Sequence, residues 1–243
     1  MGFVALLYGS FCYLAFLAAF GYLVGFVGDL GVPRSVSLGP PAGAGAAALG
    51  DAGLLALFAL QHSLMARPAC KRILARILPD ALERSTYVLA SSLALGLLFR
   101  FWRPLPAPVW ELANPLARGL LWALFWAGVL LALASTFLIS HADLFGLGQA
   151  WRRFRGRPEP ERGFQACGLY RHVRHPLMSG FLLAFWATPR MTLGHLLFAV
   201  AITGYILAGT WLEERDLVRT LGPAYGDYRR RVPRFIPWPR RRN

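Results

Sequence analysis

Arginine, histidine and proline are adjacent in the stretch 168–180, which reads Gly-Leu-Tyr-Arg-His-Val-Arg-His-Pro-Leu-Met-Ser-Gly. Pro176 fits the first position of a helix, where its missing N–H removes no hydrogen bond. The free N–H groups and positive dipole end of such a helix favour a carboxylate or phosphate, and Arg174 and His175 flank it. The stretch therefore predicts an anion-binding helix start. The alternative is that Arg174 only extends to a lipid–water interface and His175 only caps the helix.

Two carboxylates, Glu213 and Glu214, directly follow an apolar run that ends at Leu212. The C-terminal end of a helix favours cations, so carboxylates at this position indicate either ion pairing or ligand binding. Ion pairs with Arg174 and Arg215 would satisfy them. A ligand would instead offer them hydroxyl or amino groups, or a positive charge to offset.

A helical hairpin is predicted to join these two motifs. Apolar runs at about 177–187 and 193–211 flank Pro189, and proline disfavours helix at its own position and in the preceding residue. The first run is short for a membrane span and reaches adequate length only by including Leu169–Pro176. Because a hairpin returns its ends to the same side, we expect His175 and Glu214 to be neighbours.

Three further residues have side chains suited to proton transfer. His62 lies near the end of the second apolar run, and His141 and Asp143 follow the fourth. Asp143 could orient His141 as a general base, although residues two apart need a non-helical turn for this. The alternative is that these groups satisfy helix ends and bind one another. The sequence contains no His-Glu-x-x-His, paired Cys-x-x-Cys, Walker or dinucleotide glycine motif, so we expect no metal site.

The elements that must position these residues are membrane helices. Of 243 residues, 56% are hydrophobic and 16% are charged, against about 25% charged in an average soluble domain. Crossing the hydrocarbon core takes about 20 apolar residues as a helix. The sequence therefore predicts an all-α, polytopic integral membrane protein with five or six transmembrane helices, and excludes a water-soluble fold. The apolar runs lie at about 3–27, 50–66, 85–101, 119–140, 177–187 and 193–211.

The formal net charge of +14 is distributed by loop. A soluble protein of this charge would be expected to bind nucleic acid, but the sorting of charges favours the positive-inside rule, and we expect no nucleic-acid partner. With six crossings, the basic loops, both termini and a basic C-terminal tail face the cytoplasm. The same arginines suit contact with anionic lipid head groups. The residues on this side are Arg67, Lys71, Arg72, Arg76, Arg84, Arg152, Arg153, Arg155, Arg157, Arg162, Arg171, Arg174, Arg215, Arg219, Arg229–Arg231, Arg234 and Arg240–Arg242.

Three sequence blocks resemble the membrane methyltransferase family that includes isoprenylcysteine carboxyl methyltransferase and the phospholipid methyltransferases. The blocks are Tyr170-Arg171-x-x-Arg174-His175-Pro176-x-x-x-Gly180, Glu213-Glu214-x-x-Leu217 and Gly222-x-x-Tyr225-x-x-Tyr228-x-x-x-Val232-Pro233-Arg234-x-Ile236-Pro237. Met178 departs from the family pattern, where an aromatic residue is common, so no stacking role is implied there. The resemblance implies S-adenosylmethionine at the cytoplasmic surface, bound by Tyr170, Arg174, His175, Pro176, Glu213 and Glu214.

Segments of the N-terminal half are similar to the bacterial methanethiol S-methyltransferases, whose relatives include NnrU-like membrane proteins. These segments are Leu60-Gln61-His62-Ser63-Leu64-Met65-Ala66-Arg67-Pro68, Glu83-Arg84-Ser85-Thr86-Tyr87 and His141-Ala142-Asp143-Leu144-Phe145-Gly146-Leu147. The similarity implies S-methylation of methanethiol to dimethyl sulfide, with His62, His141 and Asp143 as the candidate catalytic residues. A larger acceptor, such as an isoprenylcysteine carboxylate or a phospholipid amine, and a non-enzymatic membrane role are the alternatives.

We accordingly expect one membrane methyltransferase domain over residues 1–243, because the sequence shows no internal repeat and no long linker. Residues 1–140 would supply four N-terminal helices that carry the acceptor-side residues. Residues 141–243 would supply a cytoplasmic loop, the helical hairpin and the tail that form the cofactor site. The implied partners are a small thiol and the lipid bilayer, in the cytoplasmic membrane of a bacterium.

Overall fold

The computed structural model describes residues 2–158, 160 and 166–237, most of which are helical. Arg162 of the predicted basic loop and Arg240–Arg242 of the predicted basic tail lie outside the described residues. The described helices are α1 (Gly2–Gly28), α2 (Ala44–Ala66), α3 (Pro68–Leu74), α4 (Asp80–Phe101), α5 (Pro115–Ile139), α6 (His141–Leu144), α7 (Leu147–Arg155), α8 (Pro176–Trp186), α9 (Leu193–Leu221) and α10 (Pro223–Arg231). The described strands are β1 (Pro108–Glu111) and β2 (Arg190–Thr192).

Each of the six predicted apolar runs forms a helix, and the prediction of an all-α polytopic membrane protein is confirmed. Within the described part of the chain, α1, α2, α5 and α9 are long and apolar enough to cross a membrane. Helix α4 has 22 residues but carries more polar side chains. Helix α8 has only 11 residues. Pro176 is the first residue of this helix, as predicted, and a 3₁₀ turn occupies Gly168–Arg171, so the helix does not reach the length of a membrane span by including Leu169–Pro176.

The last long helix continues past the hydrocarbon core. Its 29 residues correspond to about 43 Å of rise, against a core of about 30 Å. Helix α9 therefore carries Glu213 and Glu214 in its final turns. It ends at Leu221, and the next residue, Gly222, has φ +60°, a conformation that glycine adopts at little steric cost. Pro223 then begins α10, so the chain reverses within two residues.

The chain divides into two compact units that interleave along the sequence. The first contains residues 1–111, 140–160 and 190–201, and the second contains residues 112–139, 161–189 and 202–243. Helix α5 thus groups with α8 and the C-terminal segment, although it precedes residue 140 in sequence. One functional domain over residues 1–243 stays a prediction.

In the first unit, α1 packs against α4 and α7, and α2 packs against α4. Its aromatic core contains Phe26, Trp102 and Phe198, each at most 2% exposed. The antiparallel pair β1–β2 also belongs to this unit. These strands were not predicted, because each is only three or four residues long and lacks an alternating pattern.

In the second unit, the main helix contact joins α5 and α8 through small residues. A Cβ atom placed on Gly180 would lie 2.5 Å from the backbone nitrogen of Ala132, and one on Gly128 would lie 2.6 Å from that of Ala184. Small residues allow such close backbone approach between membrane helices. Helix α10 docks through a separate apolar cluster, which consists of Tyr225, Tyr228, Val232, Ala166, Leu217, Val218 and Leu221.

Candidate active site

The two motifs of the predicted hairpin meet in the second unit. His175 Nε2 lies 3.0 Å from Glu214 Oε1, which confirms that these residues are neighbours. Arg174 donates to both oxygens of the same carboxylate, from Nε at 2.7 Å and from Nη2 at 3.2 Å. Glu214 is 1% exposed and Arg174 is 8% exposed. The pair is therefore a buried, two-pronged ion pair of the kind that a guanidinium forms well.

The segment after α10 folds back over this ion pair. Arg234 Nη2 donates to Glu214 Oε2 at 2.9 Å, and Arg229 Nε lies 3.5 Å from the same oxygen. The backbone N–H groups of Arg174 and His175 donate to the carbonyls of Pro233 and Arg234 at 2.9 and 3.1 Å. Arg174 Nη1 also donates to the carbonyls of Arg229 and Val232. We call Arg174, His175, Glu214, Arg229 and Arg234 the Glu214 cluster.

These contacts change the roles expected for the two glutamates. Glu214 already accepts hydrogen bonds from two arginines and a histidine, which supports a role in holding the cluster together. Glu213 is different, because its side chain is 56% exposed and its carboxylate lies 3.8 Å from His175 Nδ1. Glu213 is thus the carboxylate available to a ligand. Arg215, expected as an ion-pair partner, instead lies over the Trp211 ring at 5.8 Å.

Tyr170 stands in the 3₁₀ turn before the Arg174 motif, and its carbonyl accepts a 2.6 Å hydrogen bond from the Tyr228 hydroxyl. Burial raises the pKa of Tyr170 above its usual range, and the charge of Glu213 adds to the effect. Its phenol is therefore neutral at physiological pH. Tyr170 thus links the turn to α10 through its backbone while its side chain lies within the electrostatic reach of Glu213.

His62 lies in the first unit and is held by two residues of α4. Ser91 Oγ donates to the carbonyl of Tyr87 at 2.9 Å, so its oxygen must accept from His62 Nδ1, 3.1 Å away. With Nδ1 protonated, neutral His62 accepts at Nε2 from the Tyr87 hydroxyl, at 2.7 Å. Arg84 lies over the Tyr87 ring at 5.1 Å. The network fixes the tautomer of His62 and places Tyr87 at its basic nitrogen.

His141 and Asp143, also in the first unit, belong to the short helix α6 but have different partners. His141 Nε2 lies 2.8 Å from the Tyr13 hydroxyl, and burial lowers the pKa of His141. Asp143 accepts from Ser140 Oγ at 2.7 Å and pairs with Arg152 at 2.6 Å. The turn is helical, contrary to the non-helical turn that orientation of His141 by Asp143 requires. Tyr13 is thus a histidine-orienting residue that the sequence did not reveal.

The side chains of the second unit suit a zwitterionic, hydroxyl-rich cofactor. Glu213 offers an exposed acceptor for amino or hydroxyl groups, while Arg229 and Arg234 offer guanidinium edges for a carboxylate. Helix α8 begins at Pro176, directly after His175. Of the Glu213, Arg229 and Arg234 side chains, only Glu213 belongs to the set predicted from the sequence to bind the cofactor. Within residues 2–158, 160 and 166–237, no group of three or more His, Cys, Asp or Glu side chains could hold a metal ion.

Comparison with known proteins identifies the family of this chain. The family described as NnrU protein matches residues 52–227, a range that includes His62, His141 and the Arg174 and Glu214 motifs. The chain belongs to the NnrU protein family. Among curated proteins, the chain is 53% identical to a methanethiol S-methyltransferase of Mycobacterium tuberculosis, over 98% of this chain and 98% of that protein.

Two other curated relatives differ in how similar they are to this chain. The chain is 55% identical to methanethiol S-methyltransferase 2 of Bradyrhizobium diazoefficiens, over 96% of this chain and 89% of that protein. It is 34% identical to nurim of Xenopus laevis, over 68% of this chain and 61% of that protein. No solved structure matches the chain.

Proposed function

We propose that this NnrU-family protein transfers a methyl group from S-adenosylmethionine to the sulfur of methanethiol, which yields dimethyl sulfide. The observation that carries the proposal is the Glu214 cluster, in a chain that shares 53% identity with a protein named methanethiol S-methyltransferase along nearly the whole length of both. The cluster accounts for two of the three sequence blocks that resemble membrane methyltransferases, and the folded-back segment supplies the third.

On the cofactor side, the chain's residues bind and orient. Bound S-adenosylmethionine supplies a methyl group made electrophilic by a sulfonium. We assign Glu213 to its amino or ribose hydroxyl groups, because this carboxylate is exposed. Arg174 and Glu214 hold the start of α8 and the folded-back segment in a fixed relative position. His175 and Pro176 therefore keep a fixed position as well. Tyr170, with a neutral phenol, offers an aromatic face, a type of surface that attracts a cation by about 0.5 to 2 kcal/mol.

On the acceptor side, the thiol must lose its proton as the sulfur–carbon bond forms. Two histidines are candidates for that proton, and each is neutral and hydrogen-bonded to a tyrosine. For His62, both ring nitrogens are engaged, so the proton would pass through the Tyr87 hydroxyl to Nε2. For His141, the lowered pKa keeps the imidazole neutral and able to accept at neutral pH. Asp143 would act by fixing α6 through Arg152 and Ser140.

We further propose that the protein lies in the cytoplasmic membrane of a bacterium, with the cofactor-binding residues at the cytoplasmic face. The positive-inside rule supports this orientation, because basic residues concentrate after α2, after α5 and in the tail. S-adenosylmethionine would then be bound from the compartment in which it is made.

The experiment that tests the proposal is a reaction of the purified protein in lipid nanodiscs with S-adenosylmethionine and methanethiol. Dimethyl sulfide is measured in the headspace, and cofactor binding is measured in parallel by calorimetry. We expect product together with cofactor binding. Cofactor binding without dimethyl sulfide would overturn the acceptor, and parallel reactions with an isoprenylcysteine analogue and phosphatidylethanolamine would reveal a larger one. Absence of cofactor binding in folded protein would overturn the methyltransferase proposal itself.

A further inference from the structure

A small pocket in the second unit shares Arg229 with the Glu214 cluster, and its other lining residues have no role in the proposed reaction. Its volume is about 240 Å³, and it is lined by Trp211, Arg215, Val218, Arg219 and Arg229. The four residues from α9 follow the spacing i, i+4, i+7 and i+8, which places them on one helix face. Arg229 reaches this face from α10. We call these five residues the arginine pocket.

The charge of the arginine pocket is strongly unbalanced. Three of its five lining residues are arginines and none is acidic. Arg219 Nη1 lies 3.9 Å from Asp216 Oδ1, but both side chains are more than half exposed, and such surface pairs contribute little. Arg229 approaches Glu214 at 3.5 Å, a carboxylate that Arg174 and Arg234 already engage at 2.7 and 2.9 Å. The pocket therefore retains an excess of positive charge.

The position of the pocket along α9 corresponds to the level of lipid head groups. From Leu193 to Trp211, a helix rises about 27 Å, close to the hydrocarbon thickness of about 30 Å. Trp211 is 51% exposed, and tryptophan at the end of a membrane helix marks the lipid–water interface. Arg215 and Arg219 lie one and two turns further on. They are thus at the depth of lipid phosphates.

We propose that the arginine pocket binds the phosphate of an anionic glycerophospholipid, with Trp211 against the upper acyl chain. Guanidinium groups match phosphate oxygens in geometry and charge, and basic clusters directly after a membrane helix attract anionic lipids. The volume is below the roughly 300–1,000 Å³ of pockets that enclose drug-sized ligands, which suits a head group better than a whole cofactor. The lipid would fix the end of α9 and, through Arg229, steady the Glu214 cluster.

The test uses the full chain and compares phosphatidylglycerol with phosphatidylcholine by native mass spectrometry. The pocket variant is Arg215→Gln with Arg219→Gln. The matched control is Arg230→Gln with Arg231→Gln, which removes the same charge from exposed α10 residues that do not line the pocket. We expect the unmodified chain and the control to retain phosphatidylglycerol selectively. The pocket variant should lose on the order of tenfold in phosphatidylglycerol affinity.

Three outcomes would overturn the proposal. Equal loss in both double variants would mean diffuse attraction to the basic surface. Displacement of the lipid by millimolar inorganic phosphate would mean a site for soluble anions. Loss of S-adenosylmethionine binding with unchanged lipid retention would mean a cofactor subsite. Size-exclusion elution and helical circular dichroism verify folding. Arg219→Gln alone, at an arginine whose side chain is 63% exposed, replaces the double variant if that variant does not fold.

Discussion

At the scale of single residues, Glu213 and Glu214 are adjacent in sequence but differ in burial and in partners. We expect Glu214→Gln to destabilise the protein, because a buried Arg174 would lose its counter-charge, and breaking such a pair costs about 3–5 kcal/mol. Glu213→Gln should leave stability within about 0.5 kcal/mol, since its side chain is 56% exposed, yet weaken S-adenosylmethionine binding. Thermal unfolding and calorimetry on both variants measure these effects. Equal destabilisation, or unchanged cofactor binding in Glu213→Gln, would contradict the assignment.

The tyrosine at His62 Nε2 gives a second prediction at this scale. If the thiol proton passes through Tyr87 to His62, removing either group breaks the same path. We expect Tyr87→Phe and His62→Gln each to lower kcat by about 10²-fold, a typical contribution of acid–base catalysis. The double variant should be no slower than either single variant, because the two losses are not independent. Additive losses would show separate roles. Tyr13→Phe serves as the matched control, and a large loss there would assign the proton to His141.

At the scale of elements, the contact between α5 and α8 depends on glycines that face backbone atoms. A methyl group on Gly180 would lie within 2.6 Å of two backbone atoms of α5, so the helices would have to separate. We expect Gly180→Ala to lower stability by about 1–3 kcal/mol, as overpacking does. Gly204→Ala is the control, since among the described residues no atom beyond the neighbouring backbone of its own helix lies within 4 Å of its added Cβ, and it should be neutral or stabilising. Thermal unfolding in nanodiscs compares the two, and an equal effect would disprove the packing argument.

The packing of α10 against its apolar cluster should weaken at alkaline pH. Burial, reinforced by the charge of Glu214, raises the pKa of Tyr225 to about 12, and burial raises the pKa of Tyr228 to about 12 despite the opposing charge of Arg174. A raised pKa means that the folded state holds the phenol proton more tightly. This stabilisation is complete below pH 10 and is lost as the pH rises through 12.

We therefore expect the melting temperature to fall between pH 10 and 12, with part of that fall absent in Tyr225→Phe. Absorbance of phenolate at 295 nm, followed in the same samples, relates the loss to tyrosine ionisation. A Tyr225→Phe variant that melts with the same pH dependence as the unmodified chain would contradict the assignment.

Helix periodicity and composition predicted the positions of the helices well, but they predicted few of the contacts between side chains. The proximity of His175 and Glu214 was predicted from the helical hairpin alone, because a break at proline returns the two ends of a hairpin to the same side. The partners from the folded-back segment, Arg229 and Arg234, could not be predicted, since no pattern specifies where a short tail docks. Tyr13 and Tyr87 were missed for a related reason. A single tyrosine in an apolar helix usually packs or anchors at the interface, and only the fold shows that its hydroxyl meets a histidine.

At the scale of the whole molecule, the exact length of a helix likewise could not be predicted from the sequence. Helix α8 is short because Pro176 fixes its start and the helix ends at Trp186, shortly before β2 begins at Arg190. Hydropathy detected the run but could not show that it would remain at 11 residues. The interleaving of the two units is likewise a tertiary property, because α5 joins α8 through glycine contacts that are separated by about 50 residues in sequence. The distribution of basic residues among the loops, in contrast, can be seen in the sequence. It therefore gives a testable prediction of the orientation of the chain in the membrane.

The charge distribution predicts that Cys70 and Cys167 face the cytoplasm and that β1 faces the opposite side. All three positions are suited to labelling, since both cysteines are partly exposed and Val109 in β1 is 44% exposed, whereas Cys12 is fully buried. A membrane-impermeant maleimide applied to intact cells should label the Val109→Cys variant and spare the unmodified chain. Permeabilised cells provide the control, because there the native cysteines should react as well. Labelling of the unmodified chain in intact cells would invert the orientation and place the cofactor-binding residues away from the cytoplasm.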